Sequence, residues 1–289
     1  MIEINCKEYS NFMLQAISNS IDNFYEEYNR YPHLTIIQVG NNDASNVYVR
    51  NKIKKCEAAG IDAEVINLPE DIKTEELIDV INYFNDHNGV DGIIVQLPLP
   101  EHINEEAVIF AIDPAKDVDG FHPQNIGMLQ TADYMMSSLY LPATAYGIKI
   151  LLSDLEVKIG KKDKYFKGKN AVIVGRSNIV GQPVAQVCLK MDMTTTVCHS
   201  HTKNLEEFIK NADVVIAAAG VPGLITPDML KPGAIVIDVG INRVDGKLCG
   251  DFDPTGHENY EGYYTPVPGG VGVLTTAAVV VKTVYCGWK

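Results

Sequence analysis

The chain lacks the features that assign a protein to several common classes. Its six cysteines include no C-x-x-C pair, and their spacing matches neither a zinc site nor a disulfide framework. Positive charge is scarce, since 24 Lys and Arg face 37 Asp and Glu, which gives a net charge of −13. Such an acidic chain is poorly suited to non-specific binding of nucleic acid or of anionic membranes. We therefore expect no nucleic-acid partner, no membrane partner and no metal site.

Long apolar runs are also missing. The longest nearly apolar stretch, residues 214–225, is interrupted by Gly and Pro and is too short to cross a bilayer. The first ten residues are polar and mixed, unlike a signal peptide. A P-loop is absent as well. We therefore expect a cytoplasmic protein with reduced thiols.

The chain does contain a strand–helix alternation, which occurs twice. In the first half, strands are predicted at 34–39, 63–68 and 92–96, and helices at 7–30, 45–60, 74–85 and 105–112, with Thr74 as an N-cap. A lysine-rich segment, residues 158–169, indicates a solvated loop before a second alternation. There the predicted strands are 170–174, 194–198, 214–218 and 234–239, and the predicted helices 183–190, 205–211, 227–230 and a last one within 275–289. This order predicts an α/β protein with parallel sheets covered on both faces.

Tyr48 and Lys52 are the pair around which a substrate site can be predicted. They are separated by one helical turn, so they share one face of the helix predicted at 45–60. A flat ring beside a primary amine suits a planar substrate that lies on the ring and reacts at the amine. The ordinary alternative is a half-buried tyrosine next to a solvated lysine, which is the usual state of Arg50, Lys54 and Lys55.

Two polar residues strengthen the prediction. Gln96 ends an apolar strand at the carboxyl edge of the sheet, where open α/β folds place their ligand crevices, and its amide can bond the lysine amine. Asp119 follows in an Asp-x-Asp-Gly turn and can accept hydrogen bonds from an amino-pyrimidine edge. Asp117 in the same turn is expected to cap or pair structurally. A glycine-rich loop at 266–272 offers a backbone that can approach a ligand closely.

The second alternation opens with a candidate nucleotide site. Gly175, Arg176 and Ser177 follow the strand at 170–174, and Gly181 precedes a helix. Glycine at such a turn lets the backbone approach a pyrophosphate, and free N–H groups at a helix start bind the anion. The spacing is not G-x-G-x-x-G, so an ordinary strand-to-helix turn is the alternative.

The end of the next strand indicates which dinucleotide is bound. NAD sites often carry an acid there for the ribose hydroxyls, whereas residues 198–202 read Cys-His-Ser-His-Thr. Arg176 with Ser200 suits a 2′-phosphate instead, which favours NADP. His199 and His201 also raise metal binding, but with no further cluster they are expected to be loop histidines.

Seven stretches of the chain together resemble the methylenetetrahydrofolate dehydrogenase/cyclohydrolase (FolD) family. They occur in family order over nearly the whole chain, at residues 39–52, 91–100, 116–121, 174–183, 198–200, 238–242 and 265–272. The resemblance implies a three-layer α/β catalytic domain at 1–143 and a Rossmann-like NADP-binding domain at 144–274, with the helix at 275–289 returning to the first. It further implies a homodimer that acts on tetrahydrofolate derivatives.

The resemblance also implies roles for individual residues. Lys52 is the catalytic lysine, Tyr48 the ring beside the folate, and Gln96 the partner that adjusts Lys52. Asp119 holds the pterin, together with the loop of Pro268, Gly269 and Gly270. NADP is held by Gly175, Arg176, Ser177, Ser200 and Ile241. The implied reactions are oxidation of 5,10-methylenetetrahydrofolate and hydrolysis of the 5,10-methenyl product to the 10-formyl compound.

The chain departs from the family pattern at two places. Ala143 and Ala145 stand where the family has Cys and Pro, and Val273 and Leu274 where it has Pro and Met. Both places are expected in loops that flank the cleft, so the substitutions are expected to affect cofactor affinity more than the chemistry. Two alternatives stay open. One is a dehydrogenase without hydrolytic activity, which uses either NADP or NAD. The other is a non-catalytic nucleotide-binding protein that kept the fold.

Overall fold

The computed structural model of the chain describes residues 1–131, 140–160 and 165–288. They form two compact units. One, here called the 144–275 unit, contains Met1–Ser10 and Thr144–Thr275. The other, the 11–131 unit, contains Asn11–Thr131 with residues 140–143 and 276–288. Of the loop predicted at 158–169, residues 161–164 lie outside the described residues. Residues 158–160 are helical and not part of a loop.

The 11–131 unit is built on a three-stranded parallel sheet. In chain order its elements are α1 (Cys6–Tyr28, from residue 11), β2 (His33–Val39), α2 (Asp43–Ala59), β3 (Asp62–Leu68), α3 (Thr74–Asp86), β4 (Gly92–Val95), α4 (Glu105–Ala111) and α5 (Pro123–Thr131). The strand order is β3–β2–β4. Strands β2 and β4 are buried almost throughout, as expected of a parallel sheet covered on both faces. α5 was not predicted from the sequence.

Both ends of α3 are held by side chains. The N-cap is Lys73 and not Thr74, so that sequence prediction was wrong by one residue; the Thr74 hydroxyl instead accepts a hydrogen bond from the backbone N–H of Asn104. At the other end the buried ammonium of Lys116 donates to the backbone oxygens of three residues, Phe84, Asn85 and His87. A cation there hydrogen-bonds the last carbonyls of the helix and complements the negative end of its dipole.

The end of the last helix, α9 (Val271–Gly287), packs within the 11–131 unit. Thr283 lies against Gly92, where an added Cβ would be 3.2 Å from the Thr283 hydroxyl. Gly287 lies against Phe24, and the Trp288 ring meets the Phe24 ring edge-on at 5.6 Å. These contacts confirm that the C-terminal helix returns to the N-terminal elements.

The 144–275 unit is built on a six-stranded parallel sheet of order β1–β11–β8–β7–β5–β6. Its elements are β1 (Ile2–Glu3), α6 (Ala143–Gly160, from residue 144), β5 (Asn170–Val174), α7 (Gly181–Lys190), β6 (Thr194–Cys198), α8 (Leu205–Ile209), β7 (Val214–Ala217), β8 (Ile235–Asp238), β9 (Asn242–Val244), β10 (Lys247–Cys249) and β11 (Tyr263–Tyr264). Residues 227–229 form a 3₁₀ turn where a helix was predicted.

Two features of this unit were not anticipated. The sequence-based boundaries place residues 1–10 with the first domain, but Ile2 and Glu3 pair with Tyr263 and Tyr264 at the edge of the six-stranded sheet. A two-residue strand carries too little pattern to be recognised without its partner. The hairpin of β9 and β10 likewise pairs outside the main sheet.

Candidate functional site

The 11–131 unit has a topological switch point at its central strand. From β2 the chain passes to β3 on one side and later to β4 on the other, so the connections diverge beyond the carboxyl ends of β2 and β4. Open α/β sheets bind ligands at such points. A cavity of about 210 Å³ opens there, lined by Val39, Gly40 and Pro98 among others. Tyr48 and Lys52 lie on α2, which follows β2, and Gln96 directly follows β4.

Lys52 and Gln96 are joined by a hydrogen bond. The Lys52 Nζ donates to the Gln96 Oε1 over 3.1 Å, and Lys52 is only 6% exposed. The Gln96 Nε2 donates to the backbone oxygen of Leu97 over 2.7 Å, which leaves the amide oxygen facing the amine. The solvated-lysine alternative is therefore wrong for Lys52.

The other basic residues of α2 divide into two groups. Arg50 and Lys54 are exposed, as expected, but Lys55 is half-buried, and its removal from water lowers the pKa of its ammonium. Tyr48 is also half-buried, and the same effect raises the pKa of its phenol. Tyr48 thus keeps part of its ring accessible on the helix that carries Lys52.

The two acids of the Asp-x-Asp-Gly turn have different surroundings. Asp117 accepts hydrogen bonds from the backbone N–H groups of Gly120 and His122 and from the Asn125 amide, so it organises the turn, as predicted. Asp119 has its side chain half-buried. Removal from water raises the pKa of Asp119, and the charge of Asp117 adds to this, while Lys52 and Lys282 act in the opposite sense. Asp119 is therefore a carboxylate whose ionisation depends on two nearby cations.

The 144–275 unit has its own switch point, at β5. The chain passes from β5 to β6 on one side and returns to β7 on the other. Gly175 follows β5 with φ +133°, and a Cβ there would lie 2.0 Å from the backbone oxygen of Ala218, after β7. A Cβ on Gly181 would lie 2.3 Å from the Gly175 oxygen. Only glycine permits this tight turn between strand and helix, as the sequence predicted.

The start of α7 differs from the expectation of free N–H groups. The Ser177 hydroxyl accepts from the N–H groups of Val180 and Gly181, and the Ser177 carbonyl accepts from Gln182. These three donors are therefore engaged within the turn. The Gln182 amide in turn donates to the Arg176 oxygen, which fixes the backbone at Arg176. The side chains of Arg176 and Ser177 are exposed in this turn.

Arg176 and Ser200 follow the ends of adjacent strands. Val174 of β5 is paired with Cys198 of β6, and the Gly175 N–H donates to the Cys198 oxygen over 2.9 Å. Arg176 and Ser200 are both exposed just beyond this pair. In the part of the chain that the structure describes, no three His, Cys, Asp or Glu side chains are grouped to hold a metal ion. His199 and His201 are therefore not part of such a group.

Two buried acids near the end of β8 were missed by the sequence reasoning. Asp238 accepts from the N–H groups of Gly240, Asp251 and Phe252, and Asp251 accepts from Ala219, Gly220 and the Asn242 amide. Removal from water raises the pKa of Asp238 to about 6, against the lowering effect of its hydrogen bonds. Most of these contacts join residues 13 or more positions apart, and the sequence signal was the Asp-Val-Gly-Ile-Asn stretch.

The remaining predicted residues belong to the same unit. Ile241 follows β8 and is half exposed. Pro268 and Gly269 lie in the turn before α9, with Gly269 at φ +99°, and a Cβ on Gly270 would lie 2.1 Å from the Pro266 oxygen. A cavity of about 470 Å³ is lined by Asp238, Pro266 and Val267 among others.

The two departures from the family pattern lie in helices, so the expectation that they fall in loops was wrong. Ala143 and Ala145 are buried in the first turn of α6, and Leu274 is buried in the first turn of α9. Gly147 packs so closely on Leu274 that an added Cβ would lie 2.8 Å from the Leu274 Cβ. A first helical turn tolerates Pro and accepts Ala equally well, so the exchange at Ala145 keeps the helix.

No helix in the described residues combines the length and apolar character needed to cross a membrane.

Comparison with known proteins agrees with this geometry. Residues 4–119 match the catalytic domain of tetrahydrofolate dehydrogenase/cyclohydrolase, and residues 142–287 match its NAD(P)-binding domain. The bifunctional protein FolD of Wolbachia sp. subsp. Drosophila simulans is 45% identical, over 98% of this chain and 94% of the relative.

Two solved structures are similar along almost their whole length. The bifunctional FolD enzyme of Campylobacter jejuni has a TM-score of 0.90 and 40% identity, covering 98% of this chain and 97% of the other. FolD of Trypanosoma brucei, complexed with NADP cofactor and inhibitor, has a TM-score of 0.89 and 31% identity, covering 99% and 97%. With both domain matches in order and relatives of this identity, the chain belongs to the tetrahydrofolate dehydrogenase/cyclohydrolase family.

Proposed function

We propose that the chain is a bifunctional enzyme of folate one-carbon metabolism. It oxidises 5,10-methylenetetrahydrofolate with NADP⁺ to 5,10-methenyltetrahydrofolate, and it hydrolyses that product to 10-formyltetrahydrofolate. The observation that carries the hydrolytic half is the buried Lys52 amine on the Gln96 amide oxygen. The pair lies just after the carboxyl end of β4, at the edge where open α/β sheets bind their ligands.

In the hydrolytic step, water attacks the methenyl carbon and the ring opens. Lys52 accepts a proton from the attacking water, which requires a neutral amine at that moment. Gln96 holds the amine in place through its oxygen, and its own orientation is set by the bond to Leu97. Because the amine is buried and held, little reorganisation is needed when the proton moves.

Binding of the substrate is assigned to Tyr48 and Asp119. The half-buried Tyr48 ring lies on the face of α2 that carries Lys52 and supports the flat folate by stacking. The Asp119 carboxylate accepts N–H donors of the amino-pyrimidine edge, for which it must be ionised. The loop of Pro268, Gly269 and Gly270 is assigned to the same substrate because its two glycines carry no side chain that would block close approach.

The residues after β5 and β6 fit a phosphorylated dinucleotide. The turn at Gly175 is assigned to the pyrophosphate, to which the Ser177 hydroxyl can donate. Arg176 and Ser200, exposed beyond the paired ends of Val174 and Cys198, hold the 2′-phosphate. Ile241 lies against the cofactor from the end of β8. When bound, NADP⁺ accepts the hydride, and the chain's part in that step is to orient the two rings.

We also propose a cytoplasmic homodimer with the folate domain at 1–143 plus 275–289 and the NADP domain at 144–274, where residues 1–10 contribute a strand to the sheet of the NADP domain.

The proposal is tested by an assay that follows two absorbances together. Methylenetetrahydrofolate is supplied with NADP⁺ or NAD⁺, and NAD(P)H formation and methenyl absorbance are recorded. The expected result is NADPH formation with a transient or absent methenyl signal, and far weaker turnover with NAD⁺. Methenyl accumulation without hydrolysis would favour the dehydrogenase alternative, and no turnover with either cofactor would favour a non-catalytic protein.

A further inference from the structure

Lys282 is a buried lysine that neither half of the reaction uses. It lies on α9, in the part that packs within the 11–131 unit, and is only 3% exposed. Its ammonium donates to the backbone oxygen of Leu141 over 2.7 Å. A buried cation is costly unless it is hydrogen-bonded and its charge is balanced, so its surroundings indicate what it serves.

The charges that balance Lys282 are those of the Asp-x-Asp-Gly turn. Burial lowers the pKa of Lys282, while the negative charges of Asp117 and Asp119 act in the opposite sense. Asp117 already accepts three hydrogen bonds, two from backbone N–H groups of its own turn and one from the Asn125 amide. Asp119 is the second acid of the turn on which the Lys282 charge acts.

A backbone connection links the same residues. Leu141, whose backbone oxygen accepts from Lys282, begins a short segment that ends at Ala143. The Ala143 N–H donates to the backbone oxygen of Asp119 over 3.1 Å. Between them, Pro142 lies against Gly120, where an added Cβ would be 2.8 Å from the Pro142 Cα. The ammonium therefore ties down the segment that holds the Asp119 backbone.

We propose that Lys282 is a positioning residue of the folate site, which tethers residues 141–143 and favours the ionised, hydrogen-bond-accepting form of Asp119. The inference rests on the proposed function, in which Asp119 binds the pterin. Lys282 itself touches no reacting atom. Asp119 is therefore influenced by one cation from α2, Lys52, and by one from α9, Lys282.

The predicted consequence is a change in the pH profile. The charged groups that act on Asp119 are Lys52, Asp117 and Lys282. Removing the Lys282 charge leaves Lys52 as the only opposing cation of this set, so the pKa of Asp119 rises further. Binding of folate then fails at a higher pH than in the wild type, because the protonated acid accepts fewer hydrogen bonds.

The experiment compares three substitutions of one residue with a matched control. Lys282→Met removes the charge and the donor, Lys282→Gln offers an amide donor without the charge, and Lys282→Arg keeps the charge. Thr283→Val is the control, because this buried neighbour bonds only the Val279 oxygen within α9 among the described contacts. Steady-state kinetics with varied folate or varied NADP⁺ are measured across the pH range in which the wild type is active.

The expected result is selective. Lys282→Met and Lys282→Gln raise the KM for methylenetetrahydrofolate about tenfold and move the acid limb of kcat/KM to higher pH, with the KM for NADP⁺ unchanged. Lys282→Arg and Thr283→Val keep the wild-type acid limb.

Two outcomes would overturn the inference. In the first, the Lys282→Met and Lys282→Gln variants fold and keep the wild-type KM and the wild-type acid limb of kcat/KM. In the second, they lose activity uniformly at every pH, which is the effect of removing a purely structural lysine. If Lys282→Met does not fold, Lys282→Gln and Lys282→Arg decide by the same criteria. Failure of the proposed function is seen separately, as a wild type that turns over no folate at any pH.

Discussion

The amine of Lys52 and the amide oxygen of Gln96 are 3.1 Å apart, joined between a helix and the residue that follows a strand. They are separated by more than forty residues in the chain. The sheet places Gln96 beside β2, since the Gln96 N–H donates to the Ile37 oxygen of that strand. A substitution of Gln96 leaves the buried Lys52 amine without this partner, and a substitution of Lys52 removes the donor to the half-buried Gln96 oxygen. The hydrolytic half of the reaction is therefore the most direct test of this pair.

Lys52→Met is expected to lower methenyl hydrolysis by at least about a hundredfold, because a positioned proton acceptor contributes on that order. The fold should survive, since Met keeps the length of the apolar stem. The measurement is the decay of methenyl absorbance, with circular dichroism as the check on folding. Lys54→Met, at an exposed position of the same helix, is the control and should hydrolyse normally. Full hydrolysis by the Lys52 variant would remove this residue from the mechanism.

Arg176→Ala is expected to weaken the binding of NADP⁺ about tenfold or more and the binding of NAD⁺ far less, because the guanidinium is assigned to the 2′-phosphate. Dissociation constants for both cofactors, from equilibrium titration, measure the difference. Arg243→Ala serves as a control, since Arg243 is exposed on β9 in the same unit. Equal losses for NADP⁺ and NAD⁺ would take Arg176 away from the 2′-phosphate.

Asp238 is expected to make stability depend on pH in a window between its two pKa values. The folded carboxyl has a pKa of about 6 against the ordinary 3.8, so from pH 4 to 6 the folded state binds more protons than the unfolded one. Linkage then requires this contribution to stability to fall as the pH rises through the window, by an amount on the order of 3 kcal/mol.

The test for Asp238 compares urea unfolding of the wild type with that of Asp238→Asn at several pH values. The asparagine does not titrate, so its own cost is a constant offset. The advantage of the wild type over the variant should be greatest near pH 4 and smallest above pH 6. A difference that does not change with pH would contradict the raised pKa.

Thiol reactivity is expected to separate the six cysteines, none of which is in a disulfide. Burial raises the pKa of Cys6, Cys56 and Cys188 to about 12, and Cys198 is buried as well. Since the thiolate is the reactive form, an alkylating reagent at neutral pH should label only the partly exposed Cys249 and Cys286 quickly. Peptide mass spectrometry reads the sites, and rapid native labelling of Cys56 or Cys188 would be inconsistent with their burial.

Lys116→Met is expected to destabilise the protein by about 3 kcal/mol, because three carbonyls at the end of α3 lose a charged donor whose side chain is buried. Chemical denaturation measures this value. Lys167→Met is the control: its exposed ammonium lies 3.9 Å from Asp192, and such surface pairs contribute little. Similar losses for the two variants would show that the Lys116 cap is not important for stability.

Much of the fold could be predicted because many of its strands and helices depend on local sequence patterns. The strands at 170–174 and 194–198 have the bounds that were predicted, since runs of β-branched residues between polar turns have few other interpretations. The pieces that were missed depend on distant partners. β1 has only two residues and is defined by its pairing with β11, and the cap of α3 includes a lysine thirty residues away.

The sequence by itself determined the type and order of the elements, the glycine turn at Gly175 and the helical face shared by Tyr48 and Lys52, because each of these depends on neighbours along the chain. Only the tertiary structure decided that Lys52 is buried on Gln96, that Asp238 and Asp251 share a network, and that Lys282 lies beside the Asp119 turn. Burial and the electrostatic field at a side chain are sums over residues from several elements, and these sums exist only once the chain has folded.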